Sequence, residues 1–302
     1  MSVDQAASPA GTVADTSKGN DPERAIVTAA LTGATTSKSH HPGIPHTPTE
    51  IAIEAEKACE AGAAQVHIHA KTNSGEPTFE DDVYDKIYEE IRARSDVIVN
   101  FSTGAFGVPV EERTSYLRAA EPEVAALNMG SMNYGKFDTG AEEFVFEETF
   151  VNSFEDISTF AQTMGDVGIK PELECFNPGH IRSIRPLLTR GEIEPPLQFS
   201  LVLGVLGGMP ATPGSLLEQV RRLPENSTWQ VIGVGREQWK LVSTAVAMGG
   251  NVRVGLEDNF YLPGGQRALD NAELVSKAVA MVENVGRETA TPAEARQILS
   301  LQ

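Results

Sequence analysis

From residue 25 onward the chain alternates short apolar runs with longer stretches whose apolar positions recur every three or four residues. AIVTAALTGA (25–34) reads as a strand, and TPTEIAIEAEKACEAG (47–62) as a helix in which Thr47 and Glu50 have capping-box spacing. AQVHIHA (64–70) precedes the helical FEDDVYDKIYEEIRAR (79–94), and VIVNFSTG (97–104) precedes PVEERTSYLRAA (109–120). VAALNMG (124–130) is followed by a helix near 153–166, and PELECFN (171–177) by one at 180–190. QFSLVLG (198–204) leads into SLLEQVRRL (215–223), and WQVIGVG (229–235) into EQWKLVSTAVAMG (237–249). NVRVGLED (251–258) with NAELVSKAVAMVENVG (271–286) completes the series, and TPAEARQILS (291–300) adds a terminal helix. Eight strand-then-helix units in about 270 residues predict a (β/α)8 TIM barrel; an open doubly wound sheet usually has fewer strands and an early nucleotide-type glycine turn. Residues 1–24 are small, polar and Gly/Pro-punctuated without hydrophobic period, so they read as a flexible N-terminal tail, leaving 25–302 as a single barrel domain.

Composition narrows the function. The 302 residues carry a formal charge of −18, which argues against a general nucleic-acid or anionic-membrane surface and leaves anionic ligands to local basic clusters. No apolar run approaches a membrane span, and the N-terminus lacks the order of a secretory signal, so a cytoplasmic location is expected. Cys59 and Cys175 read as two buried thiols rather than a disulfide.

In such barrels the catalytic groups gather at the C-terminal ends of the strands. VHIHA puts His67 and His69 two residues apart, hence on one strand face about 7 Å apart, where both imidazoles can reach one metal ion. A catalytic zinc wants a third protein ligand and an open position. NVRVGLEDN offers one, with Arg253, Gly255 and Glu257 on one face and Asp258 adjacent. Strand 3 supplies the hydroxyls of Ser102 and Thr103, strand 4 leads to Asn128, Ser131 and Asn133, and strand 5 carries Glu172 and Glu174. His40, His41 and His46, in the long loop after strand 1, and His180 read as surface histidines; the loop itself is long enough to be a lid. The turn GVGRE (233–237) opens a helix whose free N–H groups, with Arg236, form a candidate phosphate or carboxylate site.

Taken in order, TAALTGA (28–34), HIHAK (67–71), FSTGAFG (101–107), LNMGSMNYG (127–135), PELECF (171–176), LVLGVLGGM (201–209), GVGR (233–236) and RVGLEDN (253–259) resemble the β-keto acid cleavage enzymes, over about residues 25–301. The resemblance implies a (β/α)8 barrel, commonly a homotetramer, holding Zn²⁺ through His67, His69 and Glu257. It implies a reaction in which a β-keto acid and acetyl-CoA give acetoacetate and a new acyl-CoA, with no organic cofactor. Asp258 would then move the proton and Arg253 orient it, Ser102 and Thr103 would hold the substrate carboxylate, Ser131 and Asn133 would line the pocket, and Glu174 would occupy the family's acidic position.

Two departures stand out. Members acting on amino-bearing keto acids carry a Glu after TGA, where this chain has Thr35, and the usual Arg two residues after the H-x-H is Lys71. Thr35 therefore argues against a substrate ammonium. Two other readings compete: an amidohydrolase-type metal-dependent hydrolase, which would need further histidines at later strand ends, and a non-catalytic barrel that binds an acyl-CoA or a partner protein.

Overall fold

The computed structural model describes residues 16–301. A short strand β1 (Arg24–Ala25) precedes the first barrel unit, β2 (Val27–Ala30) with α1 (Pro48–Glu60). The next two units are β3 (Gln65–Ile68) with α2 (Asp81–Arg92), and β4 (Ile98–Phe101) with α3 (Val110–Ala120). After β5 (Val124–Asn128) come β6 (Met132–Asp138) and β7 (Glu143–Phe150), then α4 (Phe154–Asp166). β8 (Lys170–Cys175) leads to α5 (Pro178–Arg182) and α6 (Ile184–Arg190), and β9 (Gln198–Leu203) to α7 (Pro213–Val220). β10 (Thr228–Gly233) with α8 (Gln238–Ala247) and β11 (Asn251–Val254) with α9 (Asn271–Asn284) complete the barrel. β12 (Glu288–Thr289) and α10 (Pro292–Leu299) close the chain, β12 pairing with β1 across the bottom.

Eight parallel strands close in the order β10-β11-β2-β3-β4-β5-β8-β9, which is the predicted (β/α)8 barrel. The period-two alternation of the strands decides what faces where. Val66, Ile68, Val99, Phe101, Leu127, Leu173, Leu201, Val231 and Val254 join one apolar cluster with the helices. The alternate residues point inward, and many of them are polar. Glu172 sits at their centre, accepting from Gln65 Nε2 (2.9 Å), Asn100 Nδ2 (2.7 Å), Gln198 Nε2 (3.2 Å) and Ser200 Oγ (2.8 Å). Burial pushes the Glu172 carboxyl above its usual range, and the charge of Arg253, then Ser200, Gln65 and Gln230, work against that rise.

Helix α1 begins where the sequence places it: Thr47 Oγ1 accepts from Glu50 N, and the Glu50 carboxylate accepts from Thr47 N. Several features depart from expectation. The first barrel strand occupies only 27–30 of the predicted 25–34, and the helix at 180–190 breaks at Ser183. β6 and β7 form an antiparallel hairpin inserted between β5 and α4, where the sequence reading placed no element. Within the expected tail, residues 16–24 lie against the barrel, because Asn20 is buried and bonds both the N–H and the carbonyl of Trp229, while Asn251 Nδ2 donates to it; residues 1–15 lie outside the described part. His41, His46 and His180 are buried, unlike the exposed His40. His41 Nε2 bonds Ala268 O (2.8 Å) and His46 Nε2 accepts from Lys38 N (3.1 Å), so imidazoles pin the long loop after β2. Cys175 is buried and Cys59 half-buried, both as free thiols.

Candidate active site

The C-terminal mouth of the barrel encloses a cavity of about 490 Å³ whose wall includes His67, His69, Ser102, Asn128, Glu174, Arg253, Glu257 and Asp258. The inward alternation of β3 delivers His67, and His69 follows at the strand end, its backbone N–H donating to Thr32 Oγ1 (2.7 Å). The last barrel strand stops at Val254. Gly255 then takes φ +143°, a region closed to most side chains, and a Cβ there would lie 2.2 Å from Ala30 O. That turn frees the next residues from strand alternation, so Glu257 and Asp258 both point toward Arg253 instead of to opposite faces. Gly33 (φ +82°) completes the corner, since a Cβ would meet Glu257 Cγ at 2.9 Å.

Glu257 Oε1 lies 3.7 Å from His67 Nε2 and 3.6 Å from His69 Nε2. Two donors on one tetrahedral zinc sit roughly 3.3 Å apart, so the spacing fits a shared ion. Two further observations agree. Glu257 Oε2 is buried with no hydrogen-bond partner among the described residues. Arg253 faces three carboxyl groups, Glu174 (3.4 Å), Glu257 (2.5 Å) and Asp258 (2.9 Å), and the charges of Glu257 and Asp258 alone exceed one guanidinium, a surplus that a divalent ion would offset. His67, Glu172 and Glu174 also lie close together, but the Glu172 oxygens already hold four donors.

The protonation states suit this cradle. Burial and the charge of Arg253 hold His67 well below its usual range despite Glu257, and a neutral imidazole is the ligating form. Burial raises Glu257, yet Arg253 and the two histidines pull it well below a normal carboxylate. Burial lifts Asp258 to about 6, with Arg253 opposing and Glu257 reinforcing. Glu174 is pushed up to about 8 by burial, opposed by Arg253 and reinforced by Glu172, Glu257 and Asp258.

Most of the sequence candidates converge. Thr35, Ser102, Glu174 and Arg236 line the same cavity as the histidines and the Arg253 cluster, and the Arg236 guanidinium lies 4.0 Å over the Tyr261 ring. Three do not. Thr103 is fully buried and its hydroxyl donates to Ala126 O (2.6 Å), so it faces away from Ser102 and cannot hold a substrate carboxylate. Ser131 and Asn133 lie on the exposed side of the hairpin base, Ser131 Oγ accepting from Asn152 N (2.8 Å), and neither lines the cavity. Lys71 is buried with its ammonium 3.4 Å from Gly75 O, a contact within its own loop. The hairpin instead presents Tyr134, Lys136, Phe146 and Phe150, which the sequence reading missed. The alternating FVFEETF beside TG was the available signal.

Fold and mouth together define a (β/α)8-barrel enzyme with a cradle of two histidines and one carboxylate. The chain belongs to the beta-keto acid cleavage enzyme family, whose model matches residues 24–301. It is 42% identical over 284 residues to a 3-keto-5-aminohexanoate cleavage enzyme of Fusobacterium nucleatum subsp. nucleatum, covering 93% of this chain and 99% of the relative. It is 35% identical to a 3,5-dioxohexanoate:acetyl-CoA acetone transferase of Paraburkholderia graminis, covering 92% and 96%. Among solved structures, apo ObcA shares the fold at TM-score 0.73 and 23% identity, over 86% of this chain and 66% of the longer ObcA chain. The amidohydrolase-type reading and the non-catalytic barrel give way to this membership. The geometry agrees, since the histidine pair sits on the second barrel strand and His180 bonds Phe176 N outside the cavity wall.

Proposed function

We propose that this protein is a zinc-dependent enzyme that converts a β-keto acid and acetyl-CoA into acetoacetate and a new acyl-CoA. The observation that carries this reading is the placing of His67, His69 and Glu257 beside the Arg253–Asp258 pair in one cavity. Zinc held by His67, His69 and Glu257 would supply Lewis acidity toward the oxygens of the keto acid. Asp258, lifted to about 6, is suited to remove the C2 proton near neutral pH, and Arg253 fixes its orientation. Ser102 offers its hydroxyl to the substrate carboxylate. Arg236, which pairs with no carboxylate among the described residues, is the cavity's site for an anionic group of either substrate. Glu174 is largely protonated at neutral pH and serves as a hydrogen-bond donor.

Thr35 lines the cavity and brings no charge, so the keto acid is one without an ammonium group, unlike the compound named for the Fusobacterium relative. We place the enzyme in the cytoplasm as a homotetramer, in keeping with its family; no helix among the described residues is long and apolar enough to cross a membrane. The test is a coupled assay for acetoacetate from a panel of β-keto acids with acetyl-CoA, alongside metal analysis of the purified protein. One zinc per chain and a higher kcat/KM for uncharged than for amino-substituted acids are expected. A preference for the amino compounds would remove the substrate assignment.

A further inference from the structure

Tyr134 is the hairpin's polar contribution to the cavity. Its ring is enclosed by Phe106 (centroids 5.3 Å), Phe150 (5.8 Å), Phe146 (6.2 Å) and Phe176 (6.4 Å), and the strand that carries it is tied to the β9–α7 loop by the Gly135–Leu206 bridge. The ring is held from several sides. Tyr134 is half-buried and lines the cavity, and its hydroxyl has no hydrogen-bond partner among the described residues, which leaves the O–H available to something bound there. Burial first, and then the charges of Glu257, Asp258 and Glu174, hold its phenol above the usual range. A phenol on this cavity wall, its ring fixed by four neighbours, can donate its O–H to a carbonyl oxygen bound there.

We propose that Tyr134 is a substrate-binding residue whose phenol donates a hydrogen bond to a carbonyl oxygen of the reactants, next to the His67–His69–Glu257 cradle. An immobilised donor aimed at an oxygen that gains charge during reaction contributes more to turnover than to initial binding. The acceptor is either the keto oxygen of the β-keto acid or the thioester oxygen of acetyl-CoA. The inference rests on the reaction proposed above, and its test separates the two.

Tyr134→Phe removes the hydroxyl and leaves every ring contact. Turnover is measured with 3-oxopentanoate and acetyl-CoA, and affinity with 2,2-dimethyl-3-oxobutanoate, which has no C2 proton to lose. Bound metal and Tm should match wild type while kcat/KM falls about 10- to 100-fold. The substrate whose KM rises identifies the oxygen. Unchanged kcat/KM and unchanged affinity would overturn the assignment, and so would a variant that loses its metal, because the residue would then act through the cradle. If wild type binds the dimethyl acid but makes no acetoacetate from 3-oxopentanoate and acetyl-CoA, and Tyr134→Phe weakens binding of the dimethyl acid, the cleavage reaction is wrong and the phenol's role stands.

Discussion

Arg253 grips Asp258 side-on, Nε to Oδ2 at 2.9 Å and Nη2 to Oδ1 at 3.0 Å, and the same Nη2 reaches Glu257 Oε1 at 2.5 Å. One planar guanidinium thus sets the relative position of the proposed base and a proposed metal ligand. A lysine keeps the charge but not the fork. Arg253→Lys should fold, retain metal less tightly, and lose roughly two orders of magnitude in kcat. Thermal melting, metal content and turnover on one preparation decide it; a fully active variant would show that charge alone suffices.

The adjacent carboxylates should separate by function. Glu257→Gln is expected to lose metal and activity together, because it removes a ligand beside His67 and His69. Asp258→Asn should keep its metal while kcat falls by roughly two to four orders of magnitude, the range for a positioned acid–base group. Metal stoichiometry against turnover in the pair is the readout, and an active Asp258→Asn enzyme would transfer the base to Glu174.

Gly255 gives a prediction about shape. With φ +143° and Ala30 O 2.2 Å from the site of a Cβ, Gly255→Ala must shift the end of β11 away from β2. Backbone strain of this kind costs on the order of 1–3 kcal/mol before any clash is counted. Urea titration should show the loss of stability, and weakened metal binding should accompany it because Glu257 hangs from that turn. Wild-type metal affinity in this variant would mean that the cradle tolerates the shift.

The start of α1 is acid-sensitive. Burial works to raise Glu50, but Lys38 and the N–H groups of His46 and Thr47 outweigh it and hold the carboxyl at about 2 against an ordinary 4.5. A depressed folded-state value means that its stabilisation is present above pH 4.5 and is lost as pH falls from there toward 2. Relative to Glu50→Gln, wild type should lose its advantage across that window, measured by denaturation at several pH values. Equal pH dependence in both proteins would remove Glu50 from the account.

The barrel and its cradle were legible in the sequence because strand alternation is a strict geometric rule. It put His67 and His69 on one face and ordered eight units. Applied one residue further it would also have turned Thr103 away from Ser102, which is where the structure has it. The rule fails at Glu257 and Asp258, since the strand has ended by Val254 and a glycine turn takes over. Tyr134 was hidden for another reason: it lies in an insertion between β5 and α4 that has no counterpart in the repeating unit, and only the alternation of FVFEETF on the partner strand marks that hairpin. Asn20 belongs to a segment too polar to show a pattern, held by bonds from its side chain to the Trp229 backbone that no composition reveals.

The carboxylate of Glu172 lies in the second half of the chain, while two of its four donors, Gln65 and Asn100, lie in the first. A chain divided between β5 and β8 would yield one half-barrel with two buried amides lacking their acceptor and another with a carboxylate short of donors. Groups stranded in this way cost about 1–3 kcal/mol each, more when charged, so neither half is expected to order without the other. Exchanging halves between relatives would succeed only where both parents place amides and a carboxylate at these positions, which makes the polar interior a compatibility code for recombination.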